Sequence, residues 1–197
     1  MGTLSVAKSE LILGGQKSGK SRRAELLARQ WLAQSADHCA VMIATAQPWD
    51  DEMHQRIARH QADRAVRVPG MRTVEEPLAL AEAIRTHSTA HTLVVVDCLT
   101  LWLTNLLMPA DATHCEQNRP AAPVERAQSA SLLIAIEQAR GPVVLVGNEI
   151  GLGVIPMGRE VRAFVDALGR LNQDVAAACQ RVTLMAAGLP LTLKEVS

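Results

Sequence analysis

The 197-residue chain has no tyrosine, one phenylalanine and three tryptophans. Its core must therefore be aliphatic, and the rings that usually stack on exposed nucleic-acid bases are nearly missing. An excess of either charge is missing too: 20 Lys and Arg balance 20 Asp and Glu. A neutral balance argues against a general nucleic-acid or membrane-surface binder, which needs basic excess. The cysteines, Cys39, Cys98, Cys115 and Cys179, are scattered with no CxxC pair. That spacing suggests neither a zinc ribbon nor a redox pair, and predicts reduced, unpaired thiols in a cytoplasmic protein. No apolar run reaches the roughly 18 residues of a membrane span. MGTLSVAKSELIL, at the start, lacks the long apolar stretch of a secretory leader.

What is present points to one globular domain over residues 1–197: 48% of residues are hydrophobic and 20% charged. Short apolar runs at 10–13, 40–45, 92–97, 142–146 and 182–186 predict strands, with 191–194 as a further edge strand. The Val-rich runs at 93–96 and 143–146 are unbroken, as in strands covered on both faces. Amphipathic stretches at 21–33, 76–87, 124–141 and 159–180 predict helices, the second with Pro77 in its first turn. Residues 109–123 are polar and Pro-rich and read as a surface loop. Strand and helix in alternation predict an α/β domain with a mostly parallel sheet and flanking helices.

LGGQKSGKS closes the first strand and opens the first helix. Gly14, four residues, then Gly19-Lys20-Ser21 fits G-x-x-x-x-G-K-[ST], the signature of a P-loop NTPase. Glycines let backbone N–H groups turn inward around phosphate oxygens, and the helix N-terminus adds partial positive charge. Lys20 is placed to reach the β and γ phosphates, Ser21 to ligate magnesium, and Lys17 adds a cation. A metal partner is then expected at another strand's end. TLVVVD supplies Asp97 there, although Asp is also a good helix cap. No NKxD string is available to read a guanine as in switch GTPases; NEIG (148–151) and NQDV (172–175) are the nearest. The size suits a small-molecule kinase or nucleotidyl transferase.

RIARHQADR (56–64), read as a helix, sets Arg56, His60 and Arg64 one turn apart on one face. Flanking arginines disfavour a protonated imidazole, which suits a neutral nucleophile beside phosphates. A solvated basic stripe, or pairing of Arg56 with Glu52, explains the same spacing. His54 falls on another face.

Taken in order, GGQKSGKS, IATAQPWDDEMHQRIARHQADR, RTVEEP, VVDCLTLWLTNLL, VGNEIGLGVIP and REVRAFVDALGRLNQDVA resemble the bifunctional adenosylcobinamide kinase / adenosylcobinamide-phosphate guanylyltransferase family of cobalamin biosynthesis. The resemblance implies a RecA-like fold assembled as a homotrimer. It implies phosphorylation of the corrinoid adenosylcobinamide by ATP or GTP with Mg2+. It then implies transfer of GMP from GTP through a guanylylated histidine, here His60, with Lys20 as the other catalytic group. Nucleotide contacts are implied at Gly14, Gly15, Gln16, Lys17, Ser18, Gly19, Lys20 and Ser21. Others are implied at Ala44, Thr45 and Ala46, at Gln61, Ala62, Asp63 and Arg64, and at Glu75 and Asp97. Ser21 and Asp97 would hold the metal. Asn148 and Glu149, in the glycine-punctuated loop after the fifth strand, shape a pocket for the corrinoid arm, face the metal, or simply turn the chain. Met71 stands where family members often carry Trp, and CQRV replaces a more usual acidic pair. A kinase-only enzyme with an idle histidine, and a nucleotide-gated binding protein, are the alternatives.

Overall fold

The structure, a computed structural model, describes residues 4–47, 51–108, 121–154 and 157–196; the side chains at 51–54, 56, 57, 60 and 121–123 lie outside that description. The described elements are β1 (Ser9–Gly14), α1 (Lys20–Gln34), β2 (Cys39–Ala44), α2 (Asp51–Arg67), β3 (Met71–Glu75), α3 (Leu80–His87), β4 (Thr92–Asp97), α4 (Leu99–Leu107), α5 (Ala121–Glu137), β5 (Val143–Val146), α6 (Arg159–Ala178), β6 (Arg181–Ala186) and β7 (Leu189–Glu195). One seven-stranded sheet has the order β3-β2-β4-β5-β1-β6-β7. All neighbouring pairs are parallel except β6–β7.

The unbroken apolar runs occupy the centre, where both faces are covered. Successive residues alternate between two cores, as a period of two requires. Leu11, Leu13, Val94, Val96, Val143 and Leu145 turn to the face packed by α3, α4, α5 and α6. Ile12, Leu93, Val95, Val144 and Val146 turn to the other face, against Ala24, Leu27 and Ala28 of α1 and Val68 after α2.

The structure departs from the sequence-based expectation in four places. Residues 71–75 form β3, which no apolar run announces, because it is an edge strand paired only with β2 and half exposed. Helix α3 begins at Leu80, not around Pro77. The Glu76 carboxylate accepts the N–H groups of Leu78 (3.0 Å) and Ala79 (2.8 Å), so 76–79 is a turn. Helix α5 already begins at Ala121, inside the segment read as loop; residues 109–120, with Cys115, lie outside the described residues. The predicted edge strand at 191–194 lengthens to β7, joined to β6 by Ala187 and Gly188 at φ 50° and 80°. Two positive φ values make the tight turn that suits hairpin twist.

Register aligns the carboxyl ends of the parallel strands. Ala44 pairs with Asp97, Asp97 with Val146, and Gly14 with Met185. Ligands of open α/β sheets collect at this edge.

Candidate active site

The loop from Gly14 to Ser21 folds into a cradle. Gly14 has φ 153°, and a Cβ there would lie 2.5 Å from the Met185 carbonyl oxygen and 2.6 Å from the Ser18 hydroxyl. Lys17 and Gly19 also take positive φ, and Gly19 caps α1. Successive turns of this kind gather N–H groups around one point, at the positive end of a helix. Both neighbours brace the cradle: Glu149 N donates to Gly14 O (3.1 Å) and Gly188 N to Ser18 O (3.0 Å). Lys20 is buried and folded back, donating to Gly15 O (2.6 Å) and, more weakly, to Ser18 Oγ (3.5 Å). Burial lowers its pKa, against the raising influence of Cys98 and Asp97. The ammonium therefore sits within electrostatic reach of the carboxylate at the end of β4.

Asp97 is that carboxylate. Helix α4 is capped at Cys98, so Asp97 stands outside it. Its Oδ2 meets Arg64 Nη2 at 3.5 Å. Arg64 is only 7% exposed, donates a second bond to Thr73 Oγ1 (3.3 Å), and keeps its buried Nε without a partner among the described residues. It is also the one buried side chain among those described in α2. Arg67 adds an ion pair to Glu25 of α1 (3.0 Å), which raises the Arg67 pKa. Helix α2 is thus fastened near its last turn. His60 lies one turn before Arg64 in α2, on the same helical face by spacing; the side chains of His60, Arg56 and His54 are outside the described residues.

The other expected contacts divide into two groups. Thr45 is fully buried, and its hydroxyl both accepts from Cys98 N and donates to Cys98 O, each at 2.8 Å. Ala44 and Ala46 flank it where β2 ends. Gln61 Nε2 donates to Glu75 Oε1 (3.3 Å), an exposed pair at the sheet's β2–β3 corner. Asp63 turns to Arg67 (3.1 Å), and Ala62 is exposed. Cys98, buried beside Asp97, has its thiol pKa raised, first by burial and then by that carboxylate.

Three polar residues that sequence reasoning did not single out hold these strings together. Asn105 of α4, 3% exposed, donates to Thr45 O (2.8 Å) and Pro77 O (3.1 Å). Asn172 of α6 donates to Asn148 O (3.1 Å), and Thr100 Oγ1 accepts Asn148 N (2.9 Å). Asn148 is thereby fixed beside the end of β4, while Glu149 joins the phosphate loop. An amide inside an apolar helical run, as in LTLWLTNLL, is the signal that marks such a residue.

Comparison with known proteins concerns the chain as a whole. The model of the family described as cobinamide kinase / cobinamide phosphate guanyltransferase matches residues 10–193. The bifunctional adenosylcobalamin biosynthesis protein CobP of Pseudomonas aeruginosa is 47% identical over 185 residues, 94% of this chain and 96% of that one. The bifunctional adenosylcobalamin biosynthesis proteins CobU of Escherichia coli and Salmonella typhimurium are 36% and 35% identical, each covering 93% of this chain and 98% of their own. Among solved structures, the flagellar accessory protein FlaH of Methanocaldococcus jannaschii superposes with a TM-score of 0.52 at 11% identity, over 96% of this chain and 79% of that one. That likeness concerns the fold alone, which is the RecA-like α/β phosphate-loop fold. Together, the match over residues 10–193 and the relatives' identity place this chain in the cobinamide kinase / cobinamide phosphate guanyltransferase family.

Proposed function

We propose that the chain performs both reactions of its family at one phosphate loop, with His60 carrying GMP between substrates. The observation that supports this is the ion pair between Arg64 and Asp97 (3.5 Å). It draws the helix that bears His60 to the strand end beside the triphosphate cradle.

In the first step, the terminal hydroxyl of adenosylcobinamide attacks the γ-phosphorus of ATP or GTP. A P–O bond forms, the β–γ bridging bond breaks, the nucleoside diphosphate leaves and the proton passes to water. Lys20 exchanges its contacts with Gly15 and Ser18 for phosphate oxygens, and the loop amides hold the charge that builds on the leaving group. In the second step, the His60 imidazole attacks the α-phosphorus of GTP. A P–N bond forms and pyrophosphate departs. The corrinoid phosphate then takes the GMP and restores the ring. Two displacements replace one difficult reaction.

The donors present suit magnesium. Ser21 and Asp97 offer hard oxygens, and no group of three or more His, Cys, Asp or Glu forms a closed metal cage among the described residues. Magnesium commonly takes one or two protein oxygens plus phosphates and water. When bound, it offsets charge on the transferring group.

Among the described side chains of α2 only Arg64 is buried, which suits a segment that must bring His60 inward for the second step. Leu189, Leu191 and Leu193 of β7 are 70%, 57% and 56% exposed. Such exposed side chains suit burial in the homotrimer that family likeness suggests. No described helix is long and apolar enough to cross a membrane, and we place the enzyme in the cytoplasm with its corrinoid and nucleotide substrates.

The test uses GTP labelled on the α-phosphate, followed by denaturation. Acid-labile, alkali-stable label on the wild-type protein, absent from His60→Ala, is expected. A wild-type chain that phosphorylates adenosylcobinamide but takes no label refutes the guanylyl-carrier role and leaves a kinase alone.

A further inference from the structure

The phosphate loop has two flanks. Toward β4 stand Asp97, Arg64 and Lys20, a corner of charge. Toward β6 lies a half-open cavity of about 450 Å3, bounded by loop residues 15–18, by Glu149 and Leu152, and by residues 184–187. Its β6 wall, Leu-Met-Ala-Ala, carries no charge and turns back at Ala187–Gly188 with nothing larger than a methyl group. The Gly188 N to Ser18 O bond fixes that wall against the cradle. Leu152, 82% exposed, lines the cavity from the loop after β5. Four polar side chains also line it: Lys17 and Ser18 of the loop, Glu149 and Gln16. Glu149 spends Oε1 on the Gly151 N–H (2.7 Å), and Gln16 carries both a donor and an acceptor.

An apolar slot with a few polar groups, joined to a phosphate cradle, matches a flat heterocycle tethered to phosphates. The volume falls within the roughly 300–1,000 Å3 of small-ligand clefts. The exposed Gln61–Glu75 pair lies at the opposite side of the sheet. Five strand spacings separate β3 from β6 in the strand order, about 24 Å at ~4.8 Å each. One bound nucleotide cannot place its base in both.

We propose that the cavity between the phosphate loop and the β6–β7 turn holds the purine of the triphosphate that donates its γ-phosphoryl group. The Gln61–Glu75 corner serves the nucleotide that donates GMP. This rests on the two-reaction reading above and adds to it two base subsites on opposite flanks of one phosphate cradle. The geometry follows the chemistry. A donor attacked at γ reaches across the loop with its base on the β6 side. A donor attacked at α by a residue of α2 must present its α-phosphorus on the α2 side, with the base beside β2 and β3.

Ala186→Trp fills the cavity from an exposed position, and Leu152→Asp puts a charge on its wall from a side chain that is mostly in solvent. For each variant, phosphoryl transfer to adenosylcobinamide is measured against donor and acceptor concentration. Label transfer from α-labelled GTP to the protein is measured below saturation. Ala186→Trp is expected to raise the donor KM about tenfold or more with kcat within about threefold, the pattern of lost uniform binding. Protein labelling should stay within about twofold of wild type. Leu152→Asp, which cannot disturb the core, should raise donor KM about threefold or more. An unchanged donor KM in both variants overturns the proposal. So does a rise confined to the acceptor KM, which would assign the cavity to the corrinoid, or a parallel fall in labelling, which would mean one base pocket for both steps. Lys20→Ala separates the underlying reading: it should abolish both activities, and if it does not, the phosphate loop is not the donor site at all.

Discussion

Glu10 is a fully buried carboxylate in the strand that leads to the phosphate loop. Its Oε1 accepts Arg23 Nε (2.8 Å) and the Thr183 hydroxyl (2.8 Å), and Oε2 meets Arg181 Nη1 at 3.4 Å. Arg181 continues to Glu195 (2.6 Å). The network ties β1, α1, β6 and β7, the elements that brace the loop. Replacing Glu10 by Ala leaves two guanidiniums, 12% and 11% exposed, facing a space that the carboxylate filled. Breaking a buried pair by removing one partner costs about 3–5 kcal/mol. Arg181 keeps Glu195 and both heads touch water, so the lower figure applies, about 3 kcal/mol. At ~2–4 °C per kcal/mol for a domain of this size, Tm falls by roughly 6–12 °C. Glu10→Gln keeps the shape and loses the charge, and should cost about 2 kcal/mol. The triple variant Glu10→Met, Arg23→Leu, Arg181→Leu removes the charges from the centre of the network and should return to within about 1 kcal/mol of wild type. Urea unfolding followed by far-UV circular dichroism measures all three. A loss below about 1 kcal/mol for Glu10→Ala would mean that the two arginines find water freely, and the burial argument would fail.

Arg64→Met should lower stability by only about 1–2 kcal/mol. The Coulomb attraction across 3.5 Å is about 5 kcal/mol at an effective dielectric near 20, and desolvation cancels most of it. Amide exchange in α2 should nevertheless speed up about tenfold, and guanylylation should fall more than phosphorylation; slow exchange in the variant would show that other contacts hold the helix. For the thiols, in a Cys115→Ser background, exposed Cys39 should react with a disulfide reagent at once, and buried Cys98 and Cys179 only after denaturant. Burial pushes the Cys179 thiol from 9.0 up to about 12. A folded-state pKa above the unfolded one gives stability that is complete below pH 9.0 and lost as pH rises toward 12. Cys179→Ser should remove part of that alkaline slope in urea midpoints measured from pH 8 to 11.

How much of this was legible in the sequence depended on whether a signal was local. The phosphate loop was, because its glycines, lysine and serine act within one turn, and the positive φ values at Gly14 and Gly19 are the conformations that glycine makes cheap. The central strands were, because a strand covered on both faces is apolar without interruption. Strand β3 was not. An edge strand buries little, and MRTVE carries no period that separates it from a loop. RIARHQADR lies between these cases. Helical spacing set His60 and Arg64 on one face, but nothing in the string says that Arg64 would meet Asp97, because that depends on how α2 lies across β4.

Glu10, Arg64, Asn105 and Asn172 share a property that local reading discounts: each is a polar side chain at most 7% exposed. Burial without partners would cost each of them free energy, so each must join segments distant in sequence. Arg64 joins α2 to β4, Asn105 joins α4 to the ends of β2 and β3, Asn172 joins α6 to the loop after β5, and Glu10 joins β1 to α1 and β6. Strings that contact nucleotide can be contiguous, because a phosphate is small and the loop wraps it. The groups that set those strings at working distances cannot be contiguous, because their purpose is to span the sheet. Substituting these spanning residues should therefore disturb the relation between the two reactions more than it disturbs either nucleotide contact.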